Sequence, residues 1–171
     1  MIKSEKKLAE LRRILSNGKY NEINDRISML RAEEPFEGAI MLLARFYDES
    51  DREEIKTAIA AFFNDMKERS GRTEVIDSLD AVKKPETKAM LASSCWQSGL
   101  DYSEYAVPLS EAFMSGDYMT SLECFTVLEN CSETISADDK TGIIARLDRA
   151  MTQYDIPLQK LAVELISVLK Q

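Results

Sequence analysis

The sequence predicts an all-α protein built from about five helical hairpins stacked one on the next. Three observations carry that prediction. The breaks Asn17-Gly18-Lys19-Tyr20, Ser98-Gly99-Leu100-Asp101-Tyr102 and Ser115-Gly116-Asp117-Tyr118 each join a small residue and Gly to an aromatic that opens the next segment. Between breaks, apolar residues recur with the 3.6-residue period of a helix, and no run alternates as a half-buried strand would. Helix breakers are scarce: 6 Gly and 4 Pro in 171 residues.

Helices are expected at 3–16, 20–32, 35–48, 52–68, 73–83, 86–98, 102–115, 118–131, 137–153 and 156–169. The first carries Lys3, Lys6, Lys7, Arg12 and Arg13, a basic cluster that reads as a solvated face. From Phe36 to Tyr47 the third is apolar nearly all round, interrupted mainly by Glu37, Gly38 and Arg45, so it must be covered on more than one side. Residues 89–96 behave likewise, in a helix opened by Pro85. Asp51 with Glu54, and Asp101 with Glu104, place an acid three residues after a capping Asp, a variant of the capping box. Ser136 starts the ninth helix, with Asp138 and Asp139 complementing its dipole. Asp155 caps the tenth, Pro157 sits harmlessly in its first turn, and Leu158, Leu161, Ala162, Leu165, Ile166 and Leu169 form one stripe.

The helices repeat imperfectly. Aligning Asp117 with Asp155 superposes Cys124 on Ala162, while Glu34-Pro35 and Lys84-Pro85 begin similar segments. These starts lie about 50, 33 and 38 residues apart, and the long first interval implies an extra helix between 52 and 83. Over most of 34–170 this pattern resembles the HEAT and armadillo-like α-solenoids. Asp117 and Asp155 match the helix start of that family and Lys160 loosely stands in for its basic residue, but its Val-Arg pair is missing. Tetratricopeptide repeats are the near relative: Leu11 through Tyr20 to Ile27, and Phe113 to Tyr118, sound like one, although the full signature is not met in register. The resemblance implies an α-α superhelix that fills residues 1–171 as a single domain and serves as an interaction or scaffold module.

Composition narrows the function. Hydrophobic residues make up 44% and charged ones 30%, as in a globular protein rather than a disordered one. A net charge of -8 argues against binding nucleic acid, whose phosphates are held mainly by Lys and Arg. The N-terminal residues show no apolar signal region, and the longest apolar run, Ala39 to Ala44, falls far short of the roughly 20 residues of a membrane span. Cys95, Cys124 and Cys131 lie in apolar segments without CxxC spacing, which reads as buried free thiols in a reducing compartment. The expected location is the cytoplasm.

No chemistry-bearing constellation stands out. The chain has no His, so Ser-His-Asp and Cys-His triads are excluded, and zinc would need thiolates or carboxylates alone. The acids Asp48, Glu49, Asp51, Glu53 and Glu54 lack the central Gly of a calcium loop and read as helix-start residues. No glycine-rich nucleotide cradle is present. No catalytic, cofactor-binding or metal-binding residue is therefore assigned.

What remains is an aromatic and methionine cluster between Trp96 and Met119. Tyr, Trp and Met are enriched where proteins bind proteins. Trp96, Tyr102, Tyr105, Tyr118 and Met119 are the candidate partner-binding residues, and their rival role is to wedge one repeat against the next. The expected function is a non-enzymatic protein-interaction module, with a partner whose surface is basic or amphipathic. The resemblance also implies an alternative, a HEAT-like DNA-binding or alkylpurine DNA glycosylase-type enzyme, which the acidic charge disfavours. A structural subunit of a larger oligomer is a third reading.

Overall fold

The computed structural model describes every residue except Ile2. Among the described residues it contains ten α-helices and no strand: α1 (Glu5–Asn17), α2 (Tyr20–Leu30), α3 (Ala39–Glu49), α4 (Glu53–Asn64), α5 (Arg72–Ala81), α6 (Pro85–Gln97), α7 (Ala106–Ser115), α8 (Tyr118–Asn130), α9 (Ala137–Ala150) and α10 (Ile156–Leu169). No helix among the described residues is long and apolar enough to cross a membrane.

Helix ends match the sequence where the cap is local. The Leu158 amide donates to Asp155 Oδ1 at 3.0 Å, Thr120 to Asp117 Oδ1 at 2.9 Å, and Asp139 to Ser136 Oγ at 3.1 Å. Two expected caps take other forms. α4 starts after Arg52 without any side-chain cap, and its preceding Ser50 hydroxyl accepts the Arg52 amide at 3.1 Å. Asp101 does accept an amide, from Ser103 at 2.9 Å, but the turn that it opens is 3-10 and α7 begins only at Ala106. Glu104 leaves the box to pair with Arg72 Nη2 at 2.6 Å.

The three glycine breaks are of two kinds. Gly116 keeps an extended backbone, and a Cβ there would stand 2.7 Å from the Thr120 side chain, so glycine lets α7 and α8 turn tightly inside one hairpin. Gly99 has φ +70 and joins α6 to the next hairpin, ending its helix in the left-handed conformation that glycine tolerates.

Each odd helix packs on the even helix that follows it. The odd helices also pack on one another in order (α1 on α3, α3 on α5, α5 on α7, α7 on α9), and so do the even ones, α2 through α10. α3 and α6, the two helices apolar nearly all round, each touch four others: α3 meets α1, α4, α5 and α6, while α6 meets α3, α4, α5 and α8. Successive odd helices start 34, 33, 34 and 31 residues apart. The expected extra helix between 52 and 83 is absent among the described residues, which show only α4, a single 3-10 turn at Arg69–Gly71 and α5. The 50-residue interval arose from comparing the starts of α3 and α6, which occupy opposite places in their hairpins.

Two buried carboxylates tie the second hairpin to the third. α3 has no local cap, since Gly38 precedes it at φ +85. Glu74 of α5 fills the gap: Oε1 accepts the Gly38 amide at 2.5 Å, and Oε2 accepts Ile40 and Met41 at 3.1 and 3.3 Å. In return Asp48 of α3 accepts the Lys83 and Lys84 amides at 3.0 and 2.9 Å, where α6 begins. Burial raises the affinity of Asp48 for its proton, but the two amides outweigh this and hold its carboxyl below the ordinary value of 3.8. One core cluster links the helices, from Leu11, Ile23 and Leu43 to Phe113, Leu128, Ile143 and Leu165.

Candidate functional site

The five sequence-selected residues divide into surface and wedge. Trp96, Tyr118 and Met119 are exposed by 39%, 46% and 50%, whereas Tyr102 retains only 1%. The expectation that Tyr102 sits displayed at a hairpin edge is corrected: the Asp101 turn folds it inward, against Tyr105, with ring centroids 6.0 Å apart. Its hydroxyl has no hydrogen-bond partner among the described residues, and burial pushes its titration upward. Tyr105 is half-buried, with the Arg72 guanidinium 5.4 Å from its ring centroid and its hydroxyl 2.8 Å from Thr73 Oγ1. Tyr102 and Tyr105 thus wedge the third hairpin against the fourth.

The exposed three stand on α6 and α8, which lie side by side over an unusually small-residue seam. Ser94, Ala92 and Cys95 of α6 and Thr120, Ser121 and Cys124 of α8 are all buried there. The hydroxyls turn back to main-chain carbonyls: Ser94 donates to Leu91 O at 2.7 Å, and Ser121 lies 2.7 Å from Phe113 O. Small side chains with satisfied hydroxyls let the two backbones approach closely. Across the seam the Trp96 indole N–H donates to Glu123 Oε2 at 2.7 Å. Glu123 follows Met119 by four residues on α8, so Met119, Glu123 and Trp96 form one continuous strip.

At the C-terminal ends of α6 and α8 the strip opens into a cleft of ≈ 350 Å³ walled by Trp96, Leu100, Tyr102, Val127 and Cys131. Its chemistry is inert. Burial pushes the Cys95 thiol up to about 12 and Cys131 to about 11, the latter also through the nearby Asp101 charge, so both stay protonated at neutral pH. Burial likewise raises Cys124. No group of three His, Cys, Asp or Glu side chains among the described residues is placed to hold a metal ion.

Two further clefts lie in the first hairpins. One, of ≈ 550 Å³, runs between α1 and α2 and mixes Lys7, Arg13 and Arg26 with Glu22, Asp25 and Glu33. The other, of ≈ 470 Å³, is walled in part by Arg31 and Asp65, which pair with each other at 3.1 Å. Each has an ion pair in its wall, Lys7 and Arg26 with Glu33 in the first and Arg31 with Asp65 in the second.

One feature of the sequence and one of the structure single out this region. Of the chain's 30 acids and 22 bases, nine acids and no Lys or Arg lie between Ala89 and Asp139, which leaves 21 acids against 22 bases elsewhere. That imbalance marks Glu123 on the strip and Glu129 beside it. The second is the parity of exposed apolar side chains. Tyr20 and Met29 on α2, Trp96 on α6, Tyr118 and Met119 on α8, and Ile156 and Val163 on α10 are strongly exposed, and among the described residues no odd-numbered helix carries one. The chain matches no protein-family model, no curated protein and no solved structure.

Proposed function

We propose that the chain is a non-enzymatic protein-interaction module, an α-α superhelix of five hairpins whose even-numbered helices present the docking face. The observation that carries this reading is the confinement of large exposed apolar side chains to that one set of helices. A hairpin array of this kind belongs with the HEAT-like and tetratricopeptide-like solenoids. Its spacing of 31 to 34 residues speaks for the shorter, tetratricopeptide-like period. The partner is a protein with a basic or amphipathic surface, in keeping with the acids beside the exposed aromatics. A base-excising enzyme would need cations beside those aromatics, and 89–139 supplies none.

Affinity capture with the full chain tests the proposal. Wild-type protein is expected to retain a defined partner that is released by raised salt. The triple variant Trp96→Ala, Tyr118→Ser, Met119→Ser is expected to lose it, while Arg45→Ser, Glu49→Ser on α3 keeps it. A partner set unchanged by the triple variant would refute the even-helix face.

A further inference from the structure

The exposed apolar strip of α6 and α8 coincides with the most one-sided electrostatic part of the molecule. Residues 89–139, less than a third of the chain, carry a net charge of -9 from nine acids and no Lys or Arg, while the rest of the chain, with 21 acids and 22 bases, is nearly neutral. Some of the segment's acids are already engaged. Glu104 pairs with Arg72 at 2.6 Å and Glu111 with Arg146 at 2.7 Å, both cations coming from outside the segment. Asp101 and Asp117 accept backbone amides. Glu123, Glu129 and Glu133 meet no cation among the described residues, and Glu123 is held only by the Trp96 indole.

The geometry orders these groups along a line. Met119, Glu123, Thr126 and Asn130 follow one another at three- to four-residue intervals, hence on one face of α8, with Glu129 beside Asn130. At about 1.5 Å per residue, Met119 to Asn130 spans roughly 16 Å, or about three helical turns. Trp96 lies across the middle, and the cleft beside it is walled by Leu100, Val127 and Tyr102. An apolar station, a carboxylate, an aromatic and an apolar cleft therefore alternate over the length of a short helix.

We infer that this strip docks a basic amphipathic segment of a partner protein, an inference that rests on the protein-interaction reading and names its site and chemistry. A Lys or Arg side chain of the segment meets Glu123 and lays its methylene stem on Trp96, and a second cation meets Glu129, a turn and a half further along α8. One apolar side chain enters the cleft beside Trp96, and another covers Met119 and Tyr118. An acidic segment is repelled, as are the phosphates of nucleic acid and of anionic lipid.

Trp96 is the chain's only tryptophan, so its emission reports on the strip directly. The full chain is titrated with a synthetic helical peptide of alternating Leu and Lys stripes, and with its Leu and Glu counterpart. The basic peptide is expected to saturate with a shift in Trp96 emission, and the acidic one to give none. Glu123→Gln with Glu129→Gln should weaken basic-peptide binding by roughly three- to tenfold. Asp77→Asn with Asp80→Asn removes the same charge from the exposed face of α5 and should leave binding unchanged. Equal weakening by both double variants, or by neither, overturns the site. So does comparable binding of the acidic peptide, of duplex DNA or of anionic vesicles. A cellular partner that needs Trp96, Tyr118 and Met119 but ignores Glu123 and Glu129 defeats this inference and leaves the interaction reading intact. If the peptide behaves as expected while the triple variant captures the same cellular proteins, the broader reading fails instead.

Discussion

The first three hairpins bury ionised groups at their junctions, whereas the seam of α6 with α8 buries hydroxyls and thiols. Arg26, Asp48 and Glu74 are at least nine-tenths inaccessible, and each meets charged or amide partners: Arg26 holds Glu33 at 2.6 Å, and the two carboxylates cap helices of the neighbouring hairpin. Across the α6–α8 seam the buried polar side chains are Ser94, Thr120 and Ser121, joined by Cys95 and Cys124. A buried ion is costly unless it is fully partnered, so the early hairpins spend their carboxylates on structure. The seam needs none, because its hydroxyls are met by main-chain carbonyls, Ser94 by Leu91 O of its own helix and Ser121 by Phe113 O of α7. Its acids are therefore left on the surface, where they are available to a partner. One end of the molecule uses charge to hold itself together, and the other displays it.

Replacing Glu74 with Ala attacks the first of these arrangements most directly. It strands the buried amide of Ile40 and the part-buried amides of Gly38 and Met41 and should cost about 3 kcal/mol in urea unfolding, with Glu74→Gln recovering part of the loss. An effect below about 1 kcal/mol would mean that water replaces the carboxylate freely.

The pH profile should separate the two regions next. Asp48 and Glu33 titrate below their ordinary values; Asp48 is held there by amides that overcome its burial, and Glu33 by the hydrogen bond from Arg26. The unfolded chain then binds more protons as the solution is acidified, so their contribution is present above pH 4 to 5 and is lost as pH falls through the folded values. The thiols act in the opposite direction. Cys95 and Cys131 rise from 9.0 to about 12 and about 11, so the unfolded chain loses protons first. Stability should fall by about 1 kcal/mol per thiol between pH 9 and 10. Thermal unfolding of Asp48→Asn should show a shallower acid limb, and Cys95→Ala a shallower alkaline limb. Exchange of these assignments would overturn the contrast.

Smaller effects probe the wedge and the strip. Tyr102→Phe removes a buried hydroxyl without a partner and should raise stability by up to about 1 kcal/mol, the opposite sign to most core substitutions. Trp96→Phe keeps most of the apolar contact of a half-exposed residue and should change stability by less than about 0.5 kcal/mol, while removing the indole N–H that Glu123 accepts. A loss above 1 kcal/mol would make Trp96 a structural residue.

What the sequence revealed depended on how far each signal reached. α10 was readable in full, because Asp155, Pro157 and the apolar stripe all act within the helix and its cap. The start of α3 was not. The periodicity extended it back to 35, but its amides are met by Glu74, more than thirty residues further along the chain, and the helix begins at Ala39. Tyr102 and Tyr118 show the same limit at the site. Both follow an Asp near a Gly, yet Asp117 caps a helix at once and leaves Tyr118 outside, while Asp101 opens a 3-10 turn that carries Tyr102 in. The candidate strip was half legible: composition picked out its aromatics, but pairing Trp96 with Glu123 requires knowing that α6 and α8 are neighbours.

The exchange of caps between the second and third hairpins bears on how the chain folds. In a helical array with contacts only to nearest neighbours, each unit can in principle form alone and the transition spreads one unit at a time. Here neither hairpin can finish its helices by itself. α3 waits for Glu74 of the third, and α6 waits for Asp48 of the second. The coupling between units then dominates over their intrinsic stability, and residues 39–97 should melt as one cooperative block with a single hydrogen-exchange protection level. Fraying, when it comes, begins at the outer hairpins and stops there.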